Sequence, residues 1–171
     1  MDDKFDVHDS SIEGRGVFAT ALIRQGESIC LMKGEPVSIA ELDKRFKTGD
    51  ERLTDPLQIN ITTYLDLDEP YVLINHSCEP NSAIRGENDL FAIKDICVGE
   101  EITFDYSLTE WPDDTDWLDY DEWSFNCNCG SKFCRKVIKK FDLLPFFLQT
   151  KVVQEGRVQD FIIKKFNNLA E

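Results

Sequence analysis

Three cysteines crowd into one short run near the C-terminal side, Cys127-Asn-Cys129-Gly-Ser-Lys-Phe-Cys134, and no other stretch constrains the fold as strongly. The spacing is C-x-C-x4-C, with Gly130 allowing the chain to double back. Tetrahedral zinc takes four ligands of this type, and no further cysteine or histidine lies close by in sequence. The six cysteines could instead form disulfides in a secreted chain. Their clustering and the acidic start, Met1-Asp-Asp-Lys, which is no signal peptide, favour metal ligation in an intracellular protein. Cys30 and Cys97 sit in apolar surroundings and are expected to be ordinary core thiols.

A length of 171 residues suits one domain with a sizeable core. Apolar residues at 42% and charged residues at 30% place the chain among globular proteins. No apolar run approaches the roughly 20 residues that span a bilayer, so no membrane association is expected. The net charge of −14 argues against direct binding to a nucleic-acid backbone. It favours a cationic, lysine-rich partner, since opposite fields speed encounter, and it also serves solubility.

The hydrophobic pattern predicts many short strands and few helices. An edge strand is expected at Phe5–His8, then a glycine turn into a strand through Gly16-Val17-Phe18-Ala19. The same glycines fit a dinucleotide fingerprint, but Gly26 arrives before the long helix that such a site requires. A strand is expected over Glu27–Met32. Ser38-Ile-Ala-Glu41 reads as a capping box for a short helix that Gly49 ends. Leu57–Ile61 and Thr63–Leu67 are further strand candidates. Ser82–Arg85 and Leu90–Lys94 form the clearest hairpin, and Ile102–Phe104 is another brief strand. From Glu110 to Glu122 acids alternate with Trp111, Trp117 and Tyr120, a composition with more apolar area than simple disorder carries. Pro145 opens a helical stretch, interrupted at Gly156 and resumed from Arg157 to about Asn168.

The loop Asn75-His76-Ser77-Cys78-Glu79-Pro80-Asn81 sets amides, an imidazole and a thiol side by side, which no packing need explains. Upstream stands Gly14-Arg15-Gly16; downstream come Gly99-Glu-Glu-Ile-Thr-Phe104-Asp105-Tyr106 and the three-cysteine run. These four segments, in this order, resemble the SET-domain protein lysine methyltransferases with their zinc-binding post-SET tail. The resemblance covers about Ile12 to Cys134. It implies an α+β fold, mostly β with short helices: several small β-sheets, a knot-like active site, a zinc-bound post-SET segment and a C-terminal helical cap. The implied segments are 1–107 (SET domain), 108–136 (post-SET) and 137–171 (helical extension).

The resemblance also implies a chemistry: transfer of a methyl group from S-adenosylmethionine to the side-chain amine of lysine. It makes Tyr106 the catalytic tyrosine. It makes Phe104 the residue that governs product multiplicity, with phenylalanine leaving room for di- or trimethylation. Arg15, Gly16 and Val17 would lie along the cofactor, and Asn75 and His76 would contact it. Zn2+ would be held by Cys78, Cys127, Cys129 and Cys134, the thiol of Cys78 closing the set. The implied substrate is a basic protein, histone-like or ribosomal, and the location cytoplasmic or nuclear; the oligomeric state is left open. In two places the pattern departs. Val72 and Leu73 stand where the family often has arginine and phenylalanine before Asn-His-Ser-Cys. Where the family often has Tyr-x-Gly, this chain has Met32-Lys33-Gly34, which leaves Tyr64, Tyr71, Trp123 and Phe125 as alternative channel walls. The competing reading is a catalytically weak SET-like module that binds without turnover.

Overall fold

A computed structural model describes residues 4–49, 55–111 and 123–169. The acidic run's Asp113, Asp114, Asp116, Trp117, Asp119, Tyr120 and Asp121 lie outside the described residues.

The chain begins with an antiparallel hairpin of β1 (Phe5–Asp9) and β2 (Arg15–Ala19), in register from Phe5 opposite Ala19 to Asp9 opposite Arg15. β3 (Ser28–Leu31) follows, then β4 (Gly34–Ser38) and α1 (Ile39–Thr48). The capping expectation holds at both ends of α1. Ser38 Oγ accepts from the Glu41 amide at 3.3 Å, and Gly49 stops the helix at φ 76°, a left-handed conformation that glycine adopts without a Cβ clash. β5 (Pro56–Gln58) and β6 (Thr63–Leu67) complete a three-stranded sheet in the order β4-β6-β5. The predicted hairpin appears as β7 (Ser82–Arg85) and β8 (Asp89–Ala92), with β3 added on the β8 side. β9 (Phe125–Asn126) pairs with β10 (Val137–Ile138) beside the cysteines. α2 (Phe146–Gln154) and α3 (Asp160–Asn168) close the chain. The α+β architecture of several small sheets is therefore as expected.

The main core gathers apolar side chains from these sheets, among them Val17, Ile23, Met32, Leu65, Ile84, Leu90, Ile96 and Ile102. Burying each such side chain contributes roughly 1.5–3 kcal/mol, the driving term for joining sheets too small to fold alone. A second core joins Leu108 and Trp111, just past Tyr106, to Phe141, Val152, Phe161 and Ile162 of the C-terminal helices. The helical extension is thus welded to the segment that leaves the site. Gln159, fully buried, donates its side-chain amide to the carbonyls of Gln58 (2.6 Å) and Glu87 (2.7 Å), pinning α3 to two sheets.

Three expectations need correction. Ile102–Phe104 is not a strand: its backbone groups go to separate partners, so no ladder can form. Ile102 N–H donates to the Val17 carbonyl (2.7 Å), Thr103 N–H to the Asn81 side chain (2.9 Å) and Phe104 N–H to the Asn75 carbonyl (3.3 Å). Cys97 is exposed rather than a core thiol, while Cys30 is half-buried against the main core. The last helix begins at Asp160, not Arg157.

Candidate active site

The segment 101–104 crosses between β2 on one side and the 75–82 loop on the other, and this crossing assembles the site. Asn81 holds it from the loop side, donating to the Glu101 carbonyl (2.7 Å) while accepting from Thr103 (2.9 Å). Asn75 Nδ2 reaches the carbonyls of Glu13 (3.2 Å) and Arg15 (3.1 Å) and Glu101 Oε1 (2.8 Å). One side-chain amide therefore joins the glycine turn, the loop and the crossing segment. A Cβ at Gly16 would fall 2.3 Å from Glu101 Oε1, so a larger residue there would displace the carboxylate that Asn75 binds.

His76 and Tyr106 interlock next. The Tyr106 amide donates to His76 Nδ1 at 3.2 Å, so the ring proton sits on Nε2, which lies 3.3 Å from Cys78 Sγ. Burial lowers the His76 pKa to about 4; the Asp105 carboxylate pulls it upward and Arg135 downward. The ring is therefore neutral near pH 7, and its 3.5 Å approach to Asp105 is no ion pair. Asp105 is matched instead by Arg135, whose guanidinium donates to both carboxylate oxygens at 2.7 and 2.5 Å. The Tyr106 hydroxyl donates to the Ile74 carbonyl (2.8 Å), and its ring lies 4.8 Å from that of Phe104, centre to centre.

Two recesses meet at Tyr106. The larger, about 490 Å³, is bordered by Arg15, Asn75, Tyr106, Phe125, Asn126 and Asn128, with Glu13, Val72 and Leu73 beside them. Its volume lies within the range of small-molecule sites. The smaller, about 20 Å³, is a narrow slot among Leu57, Leu67, Phe104, Tyr106, Glu110 and Trp123. Of the sequence candidates, Arg15, Asn75 and Tyr106 line the larger recess, Phe104 and Tyr106 the slot. Gly16 sits immediately behind, Val17 points its side chain into the core, and the His76 ring is spent on Tyr106 and Cys78. Val17 and His76 can thus face a ligand only with backbone atoms.

The four cysteines converge as expected. The sulfurs of Cys78, Cys127, Cys129 and Cys134 all lie within 4.8 Å of one another, with Cys78 and Cys127 at 3.7 Å. Zn–S bonds of about 2.3 Å in a tetrahedron separate neighbouring sulfurs by about 3.8 Å, so the donor set and its dimensions fit zinc. The amides of Arg135 and Lys136 donate to Cys78 and Cys134, both at 3.4 Å, as suits thiolate ligands. Trp123 and Ile138 pack against this cluster, which extends to Tyr106.

Several site residues were not singled out beforehand. Asn128 lies between two predicted ligands, and Arg135 directly follows a third, so proximity to the motif was the available signal. Glu101 and Glu110 gave none, because nothing local marks where a distant carboxylate turns inward. Among the four aromatics weighed as a channel wall, Trp123 lines the slot and Phe125 the larger recess. Tyr64 is committed elsewhere, its hydroxyl donating to Glu110 at 2.7 Å.

Small sheets joined by one crossing segment, with a four-thiol cluster fastening the tail to the central loop, define a multi-sheet α+β domain of the SET type. Residues 14–107 match the SET domain family, more than half of the chain, and the protein belongs to that family. The sequence is 33% identical to the histone-lysine N-methyltransferase trithorax of Drosophila virilis over 141 residues, 75% of this chain and 3% of that protein. It is 31% identical to human histone-lysine N-methyltransferase 2B over 147 residues, 77% of this chain and 5% of that protein. The chain thus spans only a small part of the length of these relatives. A solved structure of the methyltransferase domain of human histone-lysine N-methyltransferase SETMAR superimposes with a TM-score of 0.62 at 24% identity. That match covers 80% of this chain and 58% of the other and bears on the fold.

Proposed function

We propose that the protein is a protein-lysine N-methyltransferase that uses S-adenosylmethionine and acts on a basic protein, histone-like or ribosomal, inside the cell. One observation carries the reading: Tyr106 borders both the larger recess and the narrow slot, so one aromatic side chain stands beside the places where cofactor and lysine would bind.

Arg15, Gly16, Val17, Asn75 and His76 would hold the cofactor, with Asn128 and Phe125 closing the recess from the tail. S-adenosylmethionine, when bound, supplies a methyl group made electrophilic by its sulfonium sulfur. The chain must do the rest. The lysine has to enter as a free amine, and removing its proton at pH 7 costs about 4–5 kcal/mol in water. Leu57, Leu67, Phe104 and Trp123 exclude water from the slot, which weakens the charged form of the amine. The Tyr106 hydroxyl and the Ile74 carbonyl it binds orient the nitrogen, and holding reactants in line is where most of the rate arises.

Phe104 carries no hydroxyl that would fix a water beside the amine, so di- and trimethylation are expected. Phe104→Tyr should shift the product toward monomethyl-lysine by mass spectrometry. Zn2+ at Cys78, Cys127, Cys129 and Cys134 would be structural, securing Trp123 and Asn128 against the loop. In this reading residues 1–107 form the SET domain, 108–136 the post-SET segment and 137–171 a helical extension.

The test is transfer of labelled methyl groups to core histones and to a basic cell extract. Wild type should label lysine, and Tyr106→Phe should lose at least 100-fold, the usual scale for a positioned proton-handling group. Cofactor binding without any transfer would overturn the enzyme and favour a binding module.

A further inference from the structure

A carboxyl group at the slot has no part in the chemistry so far. Glu110 is 3% exposed, yet it lines the slot together with Phe104, Tyr106 and Trp123. Tyr64 donates its hydroxyl to Glu110 Oε1 at 2.7 Å. No other hydrogen bond reaches this carboxylate from the described residues. A charge in such a place is costly, and the fully buried Lys140 offsets only part of that cost.

We propose that Glu110 is the proton acceptor for the substrate lysine, pairing with the incoming ammonium and taking one of its protons in the slot. This rests on the lysine-methyltransferase reading and adds a residue to it. The bookkeeping of the step is simple. An N–H bond of the ammonium breaks as an O–H bond forms on Glu110, and two opposite charges become a neutral amine and a neutral acid. Low-dielectric surroundings favour that neutralisation, and the amine lone pair is left free to act as the nucleophile. After product leaves, the acid returns its proton to water, and Asp55 is another residue lining the slot. Each further methylation begins with a protonated amine and needs the same transfer.

The charged surroundings fit the role. Burial raises the Glu110 pKa to about 7; the Tyr64 hydroxyl and Lys140 pull it down, and Asp142 pushes it up. Lys140 and Asp142 face it from the C-terminal segment and Tyr64 from β6, with Asp55 also lining the slot. A general base works best when its pKa lies near the working pH.

Two variants test the assignment, with core histones as methyl acceptor and a pH series of kcat/KM. Wild type should lose activity as pH falls through about 7. Glu110→Gln keeps an acceptor for Tyr64; it should lower kcat/KM about 100-fold at pH 7 and remove that acidic limb. Tyr64→Phe deletes a donor that favours the ionised carboxyl and should move the limb to higher pH, which a purely structural role would not do. Independently of turnover, wild type should bind a lysine peptide more tightly than the same peptide with norleucine, and Glu110→Gln should lose that preference. A Glu110→Gln enzyme within threefold of wild type with the limb intact, or a limb unmoved in Tyr64→Phe, overturns the role of Glu110 and leaves the methyltransferase standing. A wild type that labels no lysine overturns both.

Discussion

The main core and the cysteine region are held by different physics. The first joins sheets through side chains such as Ile84, Leu90, Ile96 and Ile102, each with no more than 2% of its surface exposed. Its stabilisation is undirected and spread over many contacts. Among the described residues, the second has only Trp123, Cys127 and Ile138 as buried apolar members. It relies on directed links: four sulfurs, the Arg135–Asp105 pair and the His76–Tyr106 bond. A region of this kind can come apart alone, because few apolar contacts oppose its opening. The site lies on the seam between the two.

The contrast is broken most sharply by removing one link. If the cluster holds zinc as proposed, chelating it or substituting Cys78→Ser should abolish the proposed methyl transfer while leaving the strand signal in far-UV circular dichroism nearly unchanged. Unfolding of the whole chain would show that the regions are one cooperative unit. Leu90→Ala should do the reverse, costing about 2–5 kcal/mol of unfolding free energy in denaturant titration while residual folded protein still takes up the proposed zinc.

Glu110 offers a pH test of the seam. Its folded pKa of about 7 stands above the ordinary 4.5, so the folded state holds this proton more tightly than the unfolded chain. The stability tied to it is complete below about pH 4.5 and is lost as pH rises through about 7. Relative to wild type, Glu110→Gln should gain up to about 3 kcal/mol at pH 8 and much less at pH 5, read as the difference in melting temperature. A gain equal at both pH values would mean that the carboxyl is not buried. Smallest of all, His8→Ala at an exposed position of β1 should shift stability by no more than about 0.5 kcal/mol and leave activity unchanged.

The sequence made the hairpins and α1 readable because their signals are local: alternation at β7 and β8, Ser38 and Gly49 at the ends of the helix. The four-thiol set and the meeting of Asn75 with Tyr106 followed from resemblance, not from spacing. What escaped was set by tertiary crossing. Ile102-Thr103-Phe104 alternates like a strand, but its donors are claimed by Val17, Asn81 and Asn75, which no local pattern reveals. The choice of Trp123 over Tyr64 as a slot wall depended on the same long-range assembly, as did the inward turn of Glu110.

The Gln159 side chain that reaches the Gln58 carbonyl does so across 101 positions of sequence. During synthesis at about 5–20 residues per second, roughly 5–20 s separate the appearance of the two partners at the ribosome. Over that interval β5, which carries the slot residue Leu57, is without its clasp on a nascent chain. Slowing translation between these two codons should therefore lengthen the protease-sensitive period of the growing polypeptide, even though the finished molecule would be the same.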